Sequence, residues 1–265
     1  MDPTVEIVLR LSCTALVFAA LAAWELLAPR RALSIGRLAR WPGNIGVLLV
    51  DAALVRLLIP TAAVGAALYA AGQGIGLFNW LQLRLSVGAV LGFLALDFVI
   101  WAQHWAFHRV PWLWRLHRMH HADLDIDVTT GVRFHPIEIL ISMAIKIAVV
   151  VALGIPPVGV FVFEVMLNAT SMFNHSNAHM PNWLDRVLRL IVVTPDMHRV
   201  HHSVLRAETD SNFGFNLPWW DWLFGTYRRE PQAGHQGMTI GIPQFRDSKE
   251  LRLDRMLTQP FRDDG

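Results

Sequence analysis

Long apolar stretches recur along the chain, and short Arg-rich stretches separate them. Val5 to Ala28 is apolar except for Glu6, Arg10 and Glu25 near its ends, and Ile45 to Ala71 is interrupted by Asp51, Arg56 and Pro60. Leu83 to about Trp105 contains Asp97, and Ile137 to Ile155 contains Lys146. A helix needs about 20 mainly apolar residues, rising about 1.5 Å each, to cross a bilayer. These four stretches therefore predict spanning helices. Val158 to Phe173, with Glu164 inside it, predicts a short fifth helix that is only partly embedded. Pro156-Pro157 lies between the last two and predicts a tight hairpin.

Arginine placement sets the expected orientation. Arg30, Arg31, Arg37 and Arg40 follow the first stretch, Arg109, Arg115, Arg118 and Arg133 follow the third, and Arg186, Arg189, Arg199 and Arg206 follow the fifth. The connection from Gly72 to Leu83 and the Pro156-Pro157 turn carry no basic residue. An outside N-terminus puts every Arg-rich stretch on the cytoplasmic side. The acidic start, with Asp2 and Glu6, lacks the basic region of a secretory signal, so the first stretch reads as a retained helix. The expected organisation is N-terminal transmembrane helices over 1–82, a core over 83–230 and a polar C-terminal tail over 231–265. The fold class is all-α, a multi-pass membrane protein with a cytoplasmic helical cap.

Composition agrees. Of the 265 residues, 54% are hydrophobic and only 17% charged, where about 25% is usual for soluble domains. Mean hydropathy is +0.37. The pI of 9.1 comes almost wholly from arginine, since Lys146 and Lys249 are the only lysines. Those charges flank apolar spans instead of forming one soluble patch, which argues against nucleic-acid binding. The Arg-rich, Lys-poor usage points to a bacterial inner membrane. A single cysteine, Cys13, excludes an internal disulfide and a cysteine-based metal cluster.

The twelve histidines carry the chemistry. Ten fall into four groups: His104 and His108; His117, His120 and His121; His175 and His179; His198, His201 and His202. The spacings i, i+3 and i, i+4 put imidazoles on one helix face, one turn apart. Each pair is followed by a triplet, and the apolar hairpin separates the two sets, so all ten can meet at one depth beneath the bilayer. One tetrahedral zinc needs only four ligands. Ten imidazoles suit two metal ions, and imidazole alone does not choose between Zn, Cu, Fe and Ni.

These residues resemble the fatty acid hydroxylase/sterol desaturase family of membrane di-iron oxygenases, in particular its bacterial sterol-desaturase-like branch. The order HxxxH (His104–His108), HxxHH (His117–His121), HxxxH (His175–His179), HxxHH (His198–His202) carries the resemblance. The words from Thr129 to Pro136, Asn212 to Gly214 and Trp220 to Tyr227 add to it, and it covers about Ser86 to Tyr227. It implies two non-haem Fe ions held by the histidines, O₂, and hydroxylation or desaturation of a lipid C–H bond. No nucleotide-binding or haem-attachment motif is evident. The resemblance therefore implies a separate electron donor, of ferredoxin or cytochrome b5 type with a reductase. The rival readings are a histidine-rich membrane metal transporter, with Asp51, Asp97 and Glu164 along its path, and a zinc hydrolase, which lacks its HExxH signature.

Several residues are candidates to support the ligands. Asp97 lies seven positions before His104 and is expected either to orient an imidazole or to pair with Arg56. Asn174 and Asn177 flank the third group, and His135 precedes Pro136. Asp196 is expected to support the centre or to cap the last histidine helix. Asp123, Asp125 and Asp127 read as a solvated loop, and His235 as a surface residue. Glu138 reads as reaching water, and Lys146 and Glu164 as a pair across the hairpin. Trp101, Trp105, Trp112 and Trp114 fit an interfacial anchoring belt.

Overall fold

The computed structural model describes residues 3–263, and among these it is helical, with two isolated β-bridges and no strand. The membrane part comprises α1 (Pro3–Leu27), α2 (Arg37–Leu58), α3 (Ala62–Gly72), the single turn α4 (Leu77–Trp80) and α5 (Leu85–Arg109). It also includes the hairpin of α7 (Pro136–Leu153) and α8 (Pro157–His175). The cap is built from α6 (Pro111–His121), α9 (Asn182–Leu188), α10 (Pro195–His201), α11 (Arg206–Thr209), α12 (Trp219–Leu223), α13 (Gly234–Gly237) and α14 (Leu253–Thr258).

Four segments are long and apolar enough to cross a membrane: Thr4–Leu27, Arg37–Trp80, Leu85–Arg109 and Pro136–Leu153. The second is broken between α2 and α3 near Pro60, which has no amide to continue the ladder. The α8 helix, expected from its shortness to be only partly embedded, is not among the four. It is nonetheless the hub of the bundle, packed on α1, α3, α5 and α10. The hairpin turns at Gly154, whose φ of +67° closes α7 in the left-handed conformation that favours glycine. Ile155 and Val160 are fully buried beside it with Leu96, Ile100 and Phe163. Lys146 Nζ donates to Glu164 Oε1 at 2.8 Å, as the sequence predicts, and Arg10 reaches Glu164 Oε2 at 2.8 Å as well.

Three expectations for the polar segments need correction. Asp123, Asp125 and Asp127 are not solvated; all three are fully buried. Arg40, itself buried, donates from Nε to Asp123 Oδ1 at 2.7 Å and from Nη1 to Asp127 Oδ2 at 2.5 Å, which ties the loop after α6 to the start of α2. The Arg40 charge holds the Asp123 carboxyl well below the usual range. His235 is buried too, 2.9 Å from the Glu230 carboxylate. The chain beyond Gln236 is not a loose polar tail. It folds back with Met238, Ile240, Ile242, Phe245, Leu251 and Met256 buried, and α14 packs on α2. Burying scattered apolar side chains between charged ones keeps this stretch on the cap.

A candidate two-metal centre

The site is assembled where the C-terminal ends of α5 and α8 meet α6 and α10. Two proline-started helices present the triplets. Pro111 opens α6, and Pro195 opens α10 after Thr194, whose Oγ1 accepts from Met197 N at 3.3 Å. Thr194 is the cap, not Asp196.

Nine imidazoles converge in two adjoining sets. His104, His108, His117, His121 and His201 form one, and His120, His175, His198 and His202 the other; in each set the ligand nitrogens lie within 4.8 Å of one another. All nine are buried. The sets touch, with the His121 and His202 rings stacked at 4.6 Å.

The tenth expected ligand is elsewhere. His179 is exposed and belongs to neither set. The helix ends at His175, and Ser176 is extended at φ −62° and ψ 145°, so the i, i+4 relation is lost. The strand-like segment that follows pairs Ala178 with Pro29, and His179 N donates to Ala28 O at 2.8 Å.

Hydrogen bonds at the outer ring nitrogens set the tautomers. The Nδ1–H of His104 donates to Phe213 O at 2.7 Å, that of His120 to Arg133 O at 2.9 Å, that of His175 to Ser171 O at 2.6 Å and that of His201 to Ser211 O at 2.7 Å. A carbonyl only accepts, so each of these rings keeps a bare Nε2. His117 Nδ1 is 2.7 Å from Glu138 Oε1, and His108 Nδ1 is 3.3 Å from Asp210 Oδ1. Carboxylate and carbonyl partners of this kind orient metal-binding imidazoles.

The bare nitrogens face each other. Nε2–Nε2 separations are 3.1 Å for His104–His117, His120–His175 and His175–His198, and 3.2 Å for His117–His121. The Nε2 atoms of His108, His201 and His202 are buried with no hydrogen-bond partner. Lone pairs so arranged repel unless a cation lies among them, and metal–imidazole bonds of about 2.0–2.1 Å give separations of this order. Burial pulls the cap histidines His120, His121, His198, His201 and His202 well below the ordinary imidazole range, and His117 to about 3. The cap thus keeps them neutral, the form in which an imidazole can bind a metal ion. The donor set fits two imidazole-bound ions.

The expected supporting residues are placed differently. Asp97 touches neither a ligand nor Arg56; it accepts from Asn216 Nδ2 at 2.9 Å and Trp220 Nε1 at 2.8 Å. Asn174 Nδ2 donates to Phe215 O at 3.0 Å, and Asn177 Nδ2 to Arg31 O at 2.8 Å. Asp196 pairs with Arg30 at 2.9 Å and with Arg199. His135 caps α7, its Nδ1 accepting from Ile137 N at 3.2 Å. Glu138, expected to reach water, is instead buried against His117, and Asp210 and Asp221 drew no expectation at all. Asp221 accepts from Phe213 N, Gly214 N and Trp101 Nε1 at 2.8, 2.8 and 3.0 Å, and so fixes the segment whose Phe213 carbonyl holds His104. A signal for it lay in the Trp220–Tyr227 word.

A cavity of about 780 Å³ leads from the five-histidine set, at His104 and His117, into the membrane part. Ile100, Phe107, Phe134 and Phe215 line its inner end, and Leu48 and Val55 its α2 wall.

Comparison with known proteins agrees with this geometry. The chain is 34% identical over 162 residues to the ornithine lipid hydroxylase OlsE of Rhizobium tropici, covering 61% of this chain and 47% of that protein. It is 32% identical over 157 residues to the human (Homo sapiens) alkylglycerol monooxygenase, covering 59% and 34%. It is 28% identical over 200 residues to the very-long-chain aldehyde decarbonylase GL1-1 of Oryza sativa subsp. indica, covering 71% and 32%. The matches thus span half or less of these relatives. No solved structure matches the chain significantly. The family model for fatty acid hydroxylase matches residues 89–226, which contain all nine converging histidines, and the chain belongs to the fatty acid hydroxylase family.

Proposed function

We propose that this chain is a membrane-embedded lipid oxygenase, which uses two non-haem irons, O₂ and external electrons to hydroxylate or desaturate a lipid C–H bond. The observation that carries the reading is the pairing of nine buried imidazoles, bare nitrogens inward, with an apolar cavity opening on His104 and His117. The named activities of the relatives, a lipid hydroxylase and an alkylglycerol monooxygenase, support the same class.

The ions would be held by His104, His108, His117, His121 and His201 and by His120, His175, His198 and His202. When bound, they would supply O₂ reduction coupled to C–H oxidation; for hydroxylation, two electrons and two protons enter and an alcohol and water leave. The residues of the chain position and seal. Glu138, Asp210 and the carbonyls of Phe213, Arg133, Ser171 and Ser211 fix the imidazoles. Phe134 stacks on His120 with centroids 4.4 Å apart, and Phe213 and Phe215 pack on His104; together they exclude water from the ring faces. The apolar wall admits an aliphatic chain from the bilayer. Electrons come from a separate ferredoxin or cytochrome b5 type donor. The localisation that fits the arginine pattern is a bacterial inner membrane with the histidines on the cytoplasmic side.

Two of the three intramembrane acids, Asp97 and Glu164, weigh against metal transport. Asp97 is taken up by Asn216 and Trp220, and Glu164 is paired with Lys146 and Arg10, so neither offers a free ligand along a path. The test is oxygen consumption with product analysis. Iron-loaded protein with O₂, a reducing system and membrane lipids is expected to form a hydroxylated or desaturated lipid. Transport of iron across sealed vesicles with no O₂-dependent product would overturn the reading.

A further inference from the structure

The cavity that meets His104 and His117 is apolar at its inner end, yet three buried acceptors line it without a donor. Asp51 is 6% exposed, and its Oδ1 is buried with no hydrogen-bond partner. Among the described residues no group donates to this Oδ1. The Gln103 Oε1 atom, one residue before His104, is likewise buried and unpartnered. So is Glu138 Oε2, whose other oxygen holds His117. All three residues line the same cavity.

Their placement is built into the helices. Leu48, Asp51, Ala52 and Val55 share the cavity-facing side of α2 at i, i+3 and i+4 spacing. Asp51 on α2 and Glu138 on α7 line this cavity from two helices that pack on each other. A carboxylate in an apolar wall costs free energy unless a donor reaches it. Lys146 and Arg10, which also line the cavity, are both paired with Glu164.

We propose that Asp51 and Gln103 form a substrate subsite, which binds a hydrogen-bond donor, a hydroxyl or an amine, carried by the lipid near the carbon presented to the histidines. This rests on the reading that the cavity takes a lipid chain. The substrate class narrows accordingly: an aliphatic lipid with a free hydroxyl or amino group at its buried end, rather than a plain hydrocarbon chain. Sites that hydrogen-bond a hydroxyl discriminate strongly against an analogue that lacks it, because the site's own groups are then left unpaired.

The experiment is direct competition in native mass spectrometry, with the whole protein in detergent. The probes are hexadecane-1,2-diol, 1,2-dimethoxyhexadecane, which has the oxygens but no donor, and hexadecylamine. Wild type is expected to prefer the diol or the amine over the dimethyl ether by about tenfold or more. Asp51→Leu is expected to bring that ratio close to one while the ether still binds. Gln103→Leu should lower the ratio independently, which guards against a folding defect in one variant. Asp51→Asn separates the donors: an amine preference collapses, whereas a diol preference is partly kept. Equal binding of all three probes to wild type, or a ratio unmoved by both Leu variants, would overturn the subsite and leave the lipid cavity standing. Failure of every alkyl probe to bind would overturn both.

Discussion

Replacing Glu138 with Gln or Leu perturbs one contact of the five-histidine set and leaves the four-histidine set alone. Glu138 Oε1 lies 2.7 Å from His117 Nδ1, and its side chain is only 7% exposed, so solvent screens the contact little. A hydrogen bond to a charged group contributes about 1.5–3 kcal/mol. That converts to roughly 10–100-fold in affinity, in line with the usual effect of removing a partner that orients a ligand imidazole. Gln keeps an acceptor for the Nδ1–H but no charge, so its effect should fall at the lower end. Leu removes the acceptor and should reach the upper end. The assay is chelator competition on metal-loaded protein in detergent, with metal counted per chain at each chelator concentration. The expected result is that one ion per chain is released at lower chelator concentration while the other is held as in wild type. If both ions keep wild-type retention in Glu138→Leu, Glu138 does not position His117. If both are lost together, the two sets are not separate sites.

Three further outcomes are expected. His179→Ala should keep both ions, because His179 is exposed and outside both sets, whereas His201→Ala should lose one; equal loss in the two, read by metal content, would contradict the assignment. In Gly131→Ala the new Cβ would lie 2.5 Å from the Ser171 carbonyl oxygen that accepts from His175, so α8 must shift; retention in the four-histidine set should fall, and unchanged retention would show that the shift is absorbed elsewhere. Metal-free protein should lose stability as pH falls below about 6.5, by roughly 1.4 kcal/mol per pH unit for each proton. The unfolded chain takes up protons there that the buried, lowered imidazoles His120, His121, His198, His201 and His202 refuse; above that pH their contribution is fully present. Thermal unfolding from pH 8 to 5 checks this, and a flat profile would refute it.

Much of the centre was legible because helical spacing is local. His104 and His108 share α5, and each triplet lies at or beside the end of one helix, so the convergence of these imidazoles followed from period and count. His179 failed for the same reason: the spacing argument assumes a helix that continues, and this one ends at His175. Long-range partners left no such mark. Glu138 is 21 residues from His117, and Arg40 is 83 from Asp123. In each case a charged residue read as solvated is buried against a partner that only the tertiary fold brings near. The C-terminal stretch misled because its apolar residues follow neither helical nor strand period, and a fold-back built on scattered anchors has no sequence rhythm. The spanning segments themselves were legible from apolar length, and the break near Pro60 was marked by the proline.

In the proposed function the two histidine sets hold a pair of iron ions side by side. Mössbauer spectroscopy of protein purified after growth on iron-57 tests it most directly. Two magnetically coupled irons per chain are expected. Folded protein that binds no iron despite its supply, or binds a single uncoupled iron, would contradict it.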